Sequence, residues 1–377
     1  MTPIAPGATL GLLGGGQLGR MTALAARAMG YGVRVLDPDP ACAASGVADA
    51  TIAAAFDDAD AAALLAAGVD VATYEIERIG AGAAAAVAAR VPLRPGAAIL
   101  AMVQDRAVQK AWLAAAGLPL GPWREAADSA SAAAAVEVLG GPCRVKSRTG
   151  GYDGRGQARV AAPGDAAELL RAWGPTPCVV ERGLELAAEL SVLVARRPSG
   201  EVAVYPPARN VHEAGILTVS QLPGELPAAA CDRADAIARR LADELALEGL
   251  LAVELFLTTG GDVLVNELAP RPHNTFHTAA AACATGQFEQ LVRAVCDLPL
   301  GDTRVVRPAA LANLLGELWD GGAPPFERAL ALPGVTLSVY GKAPRPGRKL
   351  GHLVASADTP AAALALVEEA RRRLSAR

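Results

Sequence analysis

The chain has 377 residues and a net charge of -4, so it lacks the basic surface that a nucleic-acid partner would require. Hydrophobic residues make up 52% of it, yet no apolar run reaches the roughly 20 residues of a membrane-spanning helix, and no membrane partner is expected. Because the first residues do not resemble a secretion signal, we expect a cytoplasmic protein.

The first hundred residues alternate short apolar runs with helical stretches. The predicted elements are strands at 9–13, 33–36 and 69–74 and helices at 17–30 and 81–90. Such alternation is typical of βαβ units around a parallel sheet, so we predict an α/β, Rossmann-like domain over residues 1–103. The pattern breaks near residues 91–96, ahead of a long helix predicted at 99–116.

A glycine-rich turn follows the first predicted strand. Residues 14–19 read Gly-Gly-Gly-Gln-Leu-Gly, and Asp37 follows about 20 residues later, as in dinucleotide-binding folds. Glycines let a backbone approach a ligand closely, and a helix N-terminus presents N–H groups to an anion. Taken alone, the motif is compatible with an oxidoreductase and with a tight turn that binds no ligand.

The middle of the chain groups its strands in pairs between helices. This predicts an α+β domain with antiparallel sheets over residues 104–300, in lobes at 104–185 and 186–300. Its predicted elements are strands at 143–147, 178–181, 189–195, 250–257 and 262–267 and helices at 129–139, 165–173, 228–247 and 276–296. Residues 301–377 predict a small β-rich C-terminal domain that ends with a helix at 360–374.

Lys146 lies in an apolar strand and is followed by a loop with four glycines in residues 150–156. Such a loop is entropically costly unless its freedom is used. A mobile lid over phosphates would use it, with Lys146 and Arg155 supplying positive charge. An ordinary surface hairpin would not explain the lysine in the strand. The P-loop pattern is absent from the sequence.

Two glutamates, Glu254 and Glu267, lie among apolar residues of two late strands, and Asn266 precedes the second. A carboxylate in such a strand is costly to bury unless it is paired or binds a metal. Oxygen ligands of this kind suit Mg²⁺ that also binds nucleotide phosphates. The alternative is that both are solvent-facing edge positions.

The segment after the second strand carries several side chains that bind anions, among them Arg271, His273 and Asn274. Beside a metal and phosphates, such donors suit a carboxylate, bicarbonate or an acyl phosphate. His273 and His277 have the i, i+4 spacing of a zinc pair, but the sequence offers no third ligand or H-E-x-x-H pattern, so we reject zinc.

These motifs, in this order, resemble the ATP-grasp superfamily and, within it, the carboxyaminoimidazole ribonucleotide synthase family. The residues that carry the resemblance are 14–21, 73–75, 150–157, 266–274 and 345–352. It implies an ATP-grasp fold with an N-terminal pre-ATP-grasp domain. It also implies a homodimeric ligase of purine biosynthesis that carboxylates 5-aminoimidazole ribonucleotide with bicarbonate through carboxyphosphate, with ATP and Mg²⁺ as cofactors.

The resemblance also implies roles for individual residues. ATP would be bound by Arg106, Lys146, Gly151, Tyr152, Asp153, Gly154, Arg155, Gly156, Gln157, Glu181, Arg182, Gly183, Leu184, Glu189, His212, Asn266 and Glu267. The ribonucleotide would be bound by Gln17, Leu18, Glu75, Lys342, Arg348 and Lys349, the last three at its 5′-phosphate. The catalytic residues would be Arg271, His273, Asn274, Tyr152 and Asp153, and the Mg²⁺ ligands would be Glu254 and Glu267.

Two short segments depart from the family pattern. Ile76 and Arg78 replace a usual aromatic residue and asparagine, and Thr275-Phe276 replaces a usual small pair. We expect Phe276 to narrow the pocket beside His273. The competing interpretations are a formate-dependent glycinamide ribonucleotide transformylase, a nicotinamide oxidoreductase and a non-catalytic nucleotide sensor.

Overall fold

The computed structural model describes residues 2–151, 156–174 and 176–375. Strands in these ranges form three sheets, with four, four and nine strands. The chain passes from one sheet to the next in sequence order. Among the described residues, no helix combines the length and the apolar character that crossing a membrane requires.

The N-terminal sheet is parallel, with strand order β3-β2-β1-β4. Its elements, with the helices that connect them, are β1 (Thr9–Leu13), α1 (Gln17–Ala28), β2 (Gly32–Asp37), β3 (Ala50–Ala53), α2 (Ala59–Ala66), β4 (Val71–Tyr74), α3 (Ala81–Ala88) and α4 (Ala97–Val103). All four residues of β4 are buried, as expected for a parallel strand covered on both faces. The predicted βαβ organisation is confirmed.

The second sheet is antiparallel, with order β5-β8-β6-β7. Its elements are α5 (Arg106–Ala115), β5 (Trp123–Ala126), α6 (Ser129–Leu139), β6 (Cys143–Ser147), β7 (Gln157–Val160), α7 (Pro163–Trp173) and β8 (Cys178–Arg182). The single helix predicted at 99–116 is wrong, because α5 begins anew after α4. The carboxylate of Asp105 caps α5 by accepting the N–H groups of Ala107 and Val108.

The third sheet follows the order β14-β13-β9-β11-β12-β15-β17-β16, and β10 pairs with β9. Its strands are β9 (Leu186–Arg196), β10 (Val202–Val204), β11 (Ala208–Glu213), β12 (Ile216–Leu222), β13 (Gly249–Thr258), β14 (Val263–Ala269), β15 (Ala309–Leu315), β16 (Val335–Val339) and β17 (Lys349–Ser356). Its helices are α8 (Ala228–Glu244), α9 (Ala279–Ala282), α10 (Gln287–Val295), α11 (Phe326–Leu330) and α12 (Pro360–Ser375).

The long helix predicted at 276–296 is also wrong. The chain makes a 3₁₀ turn at Asn274–Phe276, then α9, and becomes extended at Cys283 before α10 starts. Cys283 forms a bridge with Val305, and the N–H of Thr285 donates to the carbonyl of Asp302. Pairing with a distant segment therefore overrides the local helix propensity of this alanine-rich stretch.

The C-terminal strands continue the large sheet, because β15 pairs with β12. The apolar core is likewise shared: Leu12 of β1, Leu193 of β9, Leu291 of α10 and Leu311 of β15 belong to one buried cluster. This arrangement brings segments from both ends of the chain to the same cleft. The domain bounds given above stay predictions.

Candidate active site

The two predicted metal ligands lie directly opposite each other on β13 and β14, where Glu254 pairs with Glu267. The register shifts immediately afterwards, so that Asn266 is an extra residue in β14. A bulge of this kind re-aims side chains. Here the amide Nδ2 of Asn266 donates to Oε2 of Glu254 at 3.3 Å. The sequence predicted this juxtaposition, and the hairpin register produces it.

The environments of the two carboxylates drive their pKa values apart. Burial raises the pKa of Glu254, but the hydrogen bond and charge of His273, with His212 and Lys146, outweigh it and lower the pKa to about 2. Burial raises the pKa of Glu267, and the charge of Glu254 adds to the effect against Arg106. The Glu267 side chain keeps 43% of its surface accessible, so it opens into the cleft.

The described residues contain no group of three or more His, Cys, Asp or Glu side chains that could hold a metal ion by themselves. The pair of Glu254 and Glu267 fits Mg²⁺ in a different way. This ion commonly uses one or two protein carboxylates and completes its shell with phosphate and water. A cation between the two glutamates would also relieve the repulsion that raises the pKa of Glu267.

Lys146, at the end of the second sheet's β6, reaches this pair from the opposite side of the cleft. Its Nζ donates to Oδ1 of Asn266 at 3.1 Å and lies 2.8 Å from Oε2 of Glu181. The other oxygen of Glu181 lies 3.0 Å from Nζ of Lys110. Burial raises the pKa of Glu181, but the two lysines outweigh it and lower the pKa to about 2.

Lys110 is a site residue that the sequence interpretation missed. Burial lowers its pKa, and the charge of Glu181 opposes this shift. The available signal was its spacing in α5, where it is buried between Ala107 and Leu113 at intervals of three residues. A lysine on the apolar face of a helix needs a buried partner, which only the folded chain identifies.

The other predicted ATP ligands lie around this centre. Arg106, at the first residue of α5, donates to the carbonyls of Ser147 (3.0 Å) and Gly151 (3.4 Å) and lies 3.8 Å from Glu267. Gly156 accepts the N–H of Ser147, and Gln157 begins β7 opposite Lys146. Tyr152, Asp153, Gly154 and Arg155 lie outside the described residues, so the roles predicted for them stay predictions.

The predicted adenine and ribose ligands lie where β8 leads into β9. Arg182 ends β8, Gly183 donates its N–H to the carbonyl of Pro142, and Leu184 follows. Glu189, on β9, pairs with His212 of β11 through a contact of 2.6 Å. Burial lowers the pKa of His212, but the hydrogen bond and charge of Glu189 outweigh it and raise the pKa.

The donor segment after β14 is held by its neighbours. Arg271 Nε lies 2.7 Å from Oε1 of Glu77, a residue that the sequence interpretation did not assign. The His273 imidazole contacts Glu254 at 3.2 Å. Gln287, the first residue of α10, accepts the N–H of His273 at 2.9 Å and donates to its carbonyl at 3.0 Å. Gln287 was missed as well, because its partner is 14 residues away.

His277 takes different partners from His273. Its Nε2 lies 3.1 Å from Oδ1 of Asn274, and its ring stacks on His352 with centroids 4.4 Å apart. Phe276 between them is fully buried and packs edge-on against Tyr205 at 5.9 Å. The expectation that Phe276 narrows the pocket beside His273 is therefore wrong, because its ring fills the apolar core.

At the N-terminal turn, the anion position of α1 is filled by the protein itself. The Glu75 carboxylate accepts the N–H groups of Gly16 (3.1 Å) and Gly19 (3.2 Å), while Asp37 accepts that of Gly15 (2.8 Å). A Cβ at Gly16 would lie 2.8 Å from Glu75 Oε1. The glycines therefore admit a carboxylate of this chain, and a dinucleotide pyrophosphate would have to displace it. This geometry disfavours the oxidoreductase interpretation.

The C-terminal loop reaches the same turn. Nζ of Lys342 donates to Oε1 of Gln17 and lies 5.7 Å from the ring centre of Tyr340. The Leu18 side chain is buried, so only its backbone is placed to meet a ligand. Arg348 donates to the carbonyl of Ala343 at 3.1 Å.

Lys349 begins β17 and is buried. It lies close enough to His212 and His277 for its charge to contribute to lowering their pKa values. Lys349 thus lies toward the middle of the cleft, whereas Lys342 lies at the N-terminal turn. Whether both meet one phosphate stays a prediction.

Comparison with known proteins identifies this architecture. Residues 111–288 match the family model of the ATP-grasp domain. Residues 7–104 match that of the ribonucleotide synthetase preATP-grasp domain, and residues 309–366 that of the phosphoribosylaminoimidazole carboxylase C-terminal domain. The fold and the cleft together define an ATP-grasp ligase, and ATP is its nucleotide.

Individual relatives narrow this class. The N5-carboxyaminoimidazole ribonucleotide synthase of Brucella melitensis is 40% identical over 358 residues, 93% of this chain and 97% of the relative. The ADP complex of an N5-carboxyaminoimidazole ribonucleotide synthetase has a TM-score of 0.93 at 39% identity, covering 98% of both chains. The Aspergillus clavatus enzyme, in complex with ADP and 5-aminoimidazole ribonucleotide, has a TM-score of 0.89 at 31% identity, covering 97% of this chain and 99% of its own. The chain belongs to the N5-carboxyaminoimidazole ribonucleotide synthase family.

Proposed function

We propose that the protein carboxylates the amine of 5-aminoimidazole ribonucleotide with bicarbonate and ATP, giving N5-carboxyaminoimidazole ribonucleotide, ADP and phosphate in purine biosynthesis. One observation carries this proposal. A single cleft joins a carboxylate pair beside buried lysines, a set of anion donors and a turn contacted from the C-terminal loop. These three parts suit ATP, bicarbonate and the ribonucleotide, respectively.

ATP would lie between the second sheet and the large sheet. Lys146 and Arg106 would meet its phosphates, and Glu189 its ribose, beside the segment 181–184 that would line the adenine pocket. Glu254 and Glu267 would hold Mg²⁺, which supplies positive charge to the phosphate oxygens as the γ-phosphoryl group moves. Asn266, which contacts both Lys146 and Glu254, would keep the two groups in register.

Bicarbonate would be held by Arg271, His273 and Asn274 beside the γ-phosphate. Its oxygen would attack the phosphorus, and the bond to ADP would break, giving carboxyphosphate. The carboxyl carbon would then pass to the amine, which loses a proton, and phosphate would leave. Preorganised donors stabilise the charge that develops in such steps. The contacts of Arg271 with Glu77 and of Gln287 with His273 support this preorganisation.

The ribonucleotide would be bound at the N-terminal turn. Gln17, Leu18 through its backbone and Glu75 would contact it there, with Lys342 contributing the cation from the C-terminal loop. Arg348 and Lys349 would contribute charge at the 5′-phosphate, and Tyr152 and Asp153 would close over the amine. A homodimer and a cytoplasmic location are further proposals, and they rest on the family resemblance alone.

An isotope experiment tests the proposed function. Phosphate release from ATP and Mg²⁺ is measured with the ribonucleotide, with and without ¹⁸O-labelled bicarbonate, and the phosphate is analysed by mass spectrometry. We expect release to require both substrates and one ¹⁸O atom to pass from bicarbonate to each phosphate. Release with formate and glycinamide ribonucleotide instead would favour the transformylase, and release without ¹⁸O transfer would exclude carboxyphosphate.

A further inference from the structure

A chain of buried hydroxyl and amide groups lies beneath the His273 imidazole. Nδ1 of His273 lies 2.9 Å from Oγ1 of Thr275, which lies 2.9 Å from Oγ of Ser191. Nδ2 of Asn210 donates to Ser191 at 3.0 Å, and Oγ of Ser220 donates to Oδ1 of Asn210 at 2.9 Å. Thr275, Ser191, Asn210 and Ser220 are each at least 95% buried.

The outer edge of the imidazole decides the direction of this chain. Nε2 of His273 lies 3.2 Å from the Glu254 carboxylate, which only accepts hydrogen bonds when ionised. Nε2 must therefore carry the proton. In a neutral imidazole the other nitrogen, Nδ1, then has a lone pair and needs a donor. Thr275 is the donor within reach, because its own hydroxyl oxygen accepts from Ser191.

The opposite order of donors would satisfy the same inner groups. If the Asn210 amide were flipped, Ser191 would donate to it, Thr275 would donate to Ser191, and Nδ1–H of His273 would donate to Thr275. That order would leave the Nε2 lone pair facing the Glu254 carboxylate at 3.2 Å. Two acceptors at this distance repel each other, so the order that starts from Asn210 is favoured.

We propose that Thr275, supported by Ser191 and Asn210, is a positioning residue that holds neutral His273 in its Nε2–H tautomer. The consequence for catalysis rests on the proposed function. An N–H at the cleft edge of the ring offers a donor to the negative oxygens of bicarbonate or carboxyphosphate, whereas the other tautomer would present a lone pair to them. The three residues come from β9, β11 and the turn after β14, and all lie beneath the cleft.

Nitrogen NMR of labelled histidine tests the tautomer without any substrate. The chain has only four histidines, so the His273 signals can be assigned from their loss in His273→Gln. At pH 8, where an ordinary imidazole is neutral, we expect a protonated Nε2 and an unprotonated Nδ1. A protonated Nδ1, alone or with a protonated Nε2, would overturn the proposal.

Variants connect the tautomer to Thr275. Thr275→Val keeps the branched shape but removes the hydroxyl, so the His273 signals should shift toward a mixture of tautomers, while Thr275→Ser should retain the wild-type pattern. Thr278→Val is the matched control, because Thr278 is equally buried and bonds only the carbonyl of Thr275. Unchanged His273 signals in folded Thr275→Val would contradict the proposed role.

Kinetics show whether the tautomer matters for turnover. In Thr275→Val we expect kcat/KM for bicarbonate to fall about 10- to 100-fold, the usual loss when the partner that orients a functional histidine is removed. KM for ATP should stay within about twofold, since Thr275 makes no contact with the ATP ligands. Thr275→Ser should restore the rate. If wild-type protein lacks bicarbonate-dependent turnover, the proposed function fails while the NMR result still decides the tautomer.

Discussion

The two ends of the cleft are built in different ways. The carboxylate end consists of Glu254, Asn266 and Glu267 on one hairpin, so a 12-residue separation and the strand register place its groups. The turn end joins Gln17 to Lys342, which are 325 residues apart. The first end is a product of local strand pairing. The second forms only when the N-terminal sheet and the C-terminal strands dock on the same core.

The two ends also stabilise buried charge differently. At the carboxylate end, ionised side chains compensate one another, as when Lys110 and Lys146 hold Glu181. At the turn end, the backbone N–H groups of a helix start hold the Glu75 carboxylate. Burial still raises the pKa of Glu75 against these hydrogen bonds. Loss of one side chain should therefore affect the carboxylate end through charge and the turn end through shape and position.

The largest effect is expected for Glu267→Gln at the carboxylate end. The change removes a charge from the Mg²⁺ pair, so ATP-dependent phosphate release should fall by at least about 1,000-fold, by analogy with the loss of a key electrostatic group. Thermal stability should not fall, because a buried charge is replaced by a neutral group of the same shape. Glu213→Gln, at an exposed position of the same sheet, is the control. Near wild-type turnover in Glu267→Gln would show that this pair does not bind the metal.

A smaller and more selective effect is expected for Lys342→Met at the turn end. Loss of one charge-assisted contact, worth about 1.5–3 kcal/mol, should raise KM for the ribonucleotide by about 10- to 100-fold. KM for ATP should stay within about twofold, because Lys342 contacts Gln17 and not the ATP ligands. Arg304→Met, at an exposed cation paired with Asp302, is the control. An equal rise in both KM values would mean that the two ends are not separate.

The smallest effect on turnover is expected for His352→Gln, behind the turn end, where only stability should respond to pH. Burial lowers the pKa of His352 to about 4. The unfolded chain binds a proton below its usual pKa of about 6.5, and the folded protein does so only below about 4, so the free energy of unfolding decreases as pH falls between these values. The wild type should lose about 2 kcal/mol more than the variant between pH 8 and pH 5.

Urea denaturation at both pH values measures this difference. His212→Gln is an informative partner, because the pKa of His212 is raised by Glu189. Its contribution is present below the unfolded pKa and is lost as pH rises through the folded one. The acid-side slope should therefore persist in His212→Gln and become shallower in His352→Gln. Parallel slopes in the wild type and His352→Gln would contradict the burial of a neutral imidazole.

Much of the local structure could be predicted from the sequence. Strands β1 and β6 and helix α6 have the predicted bounds, because short apolar runs and a capped alanine-rich segment are local signals. The same holds for Lys146, Glu254 and Glu267, since a charge inside an apolar strand is visible without the fold. Helices predicted at 99–116 and 276–296 failed because a cap at Asp105 and a bridge from Cys283 to Val305 interrupt them.

The sequence by itself determined the kinds of chemistry present: a phosphate-binding lysine before a glycine loop, two strand carboxylates and a donor segment. Only the tertiary structure decided which groups meet. It paired Glu75 with the glycine turn, Lys110 with Glu181, Glu77 with Arg271 and Thr275 with His273. Local patterns depend on neighbouring residues, whereas these partners are selected by sheet register and by the docking of segments far apart in the chain.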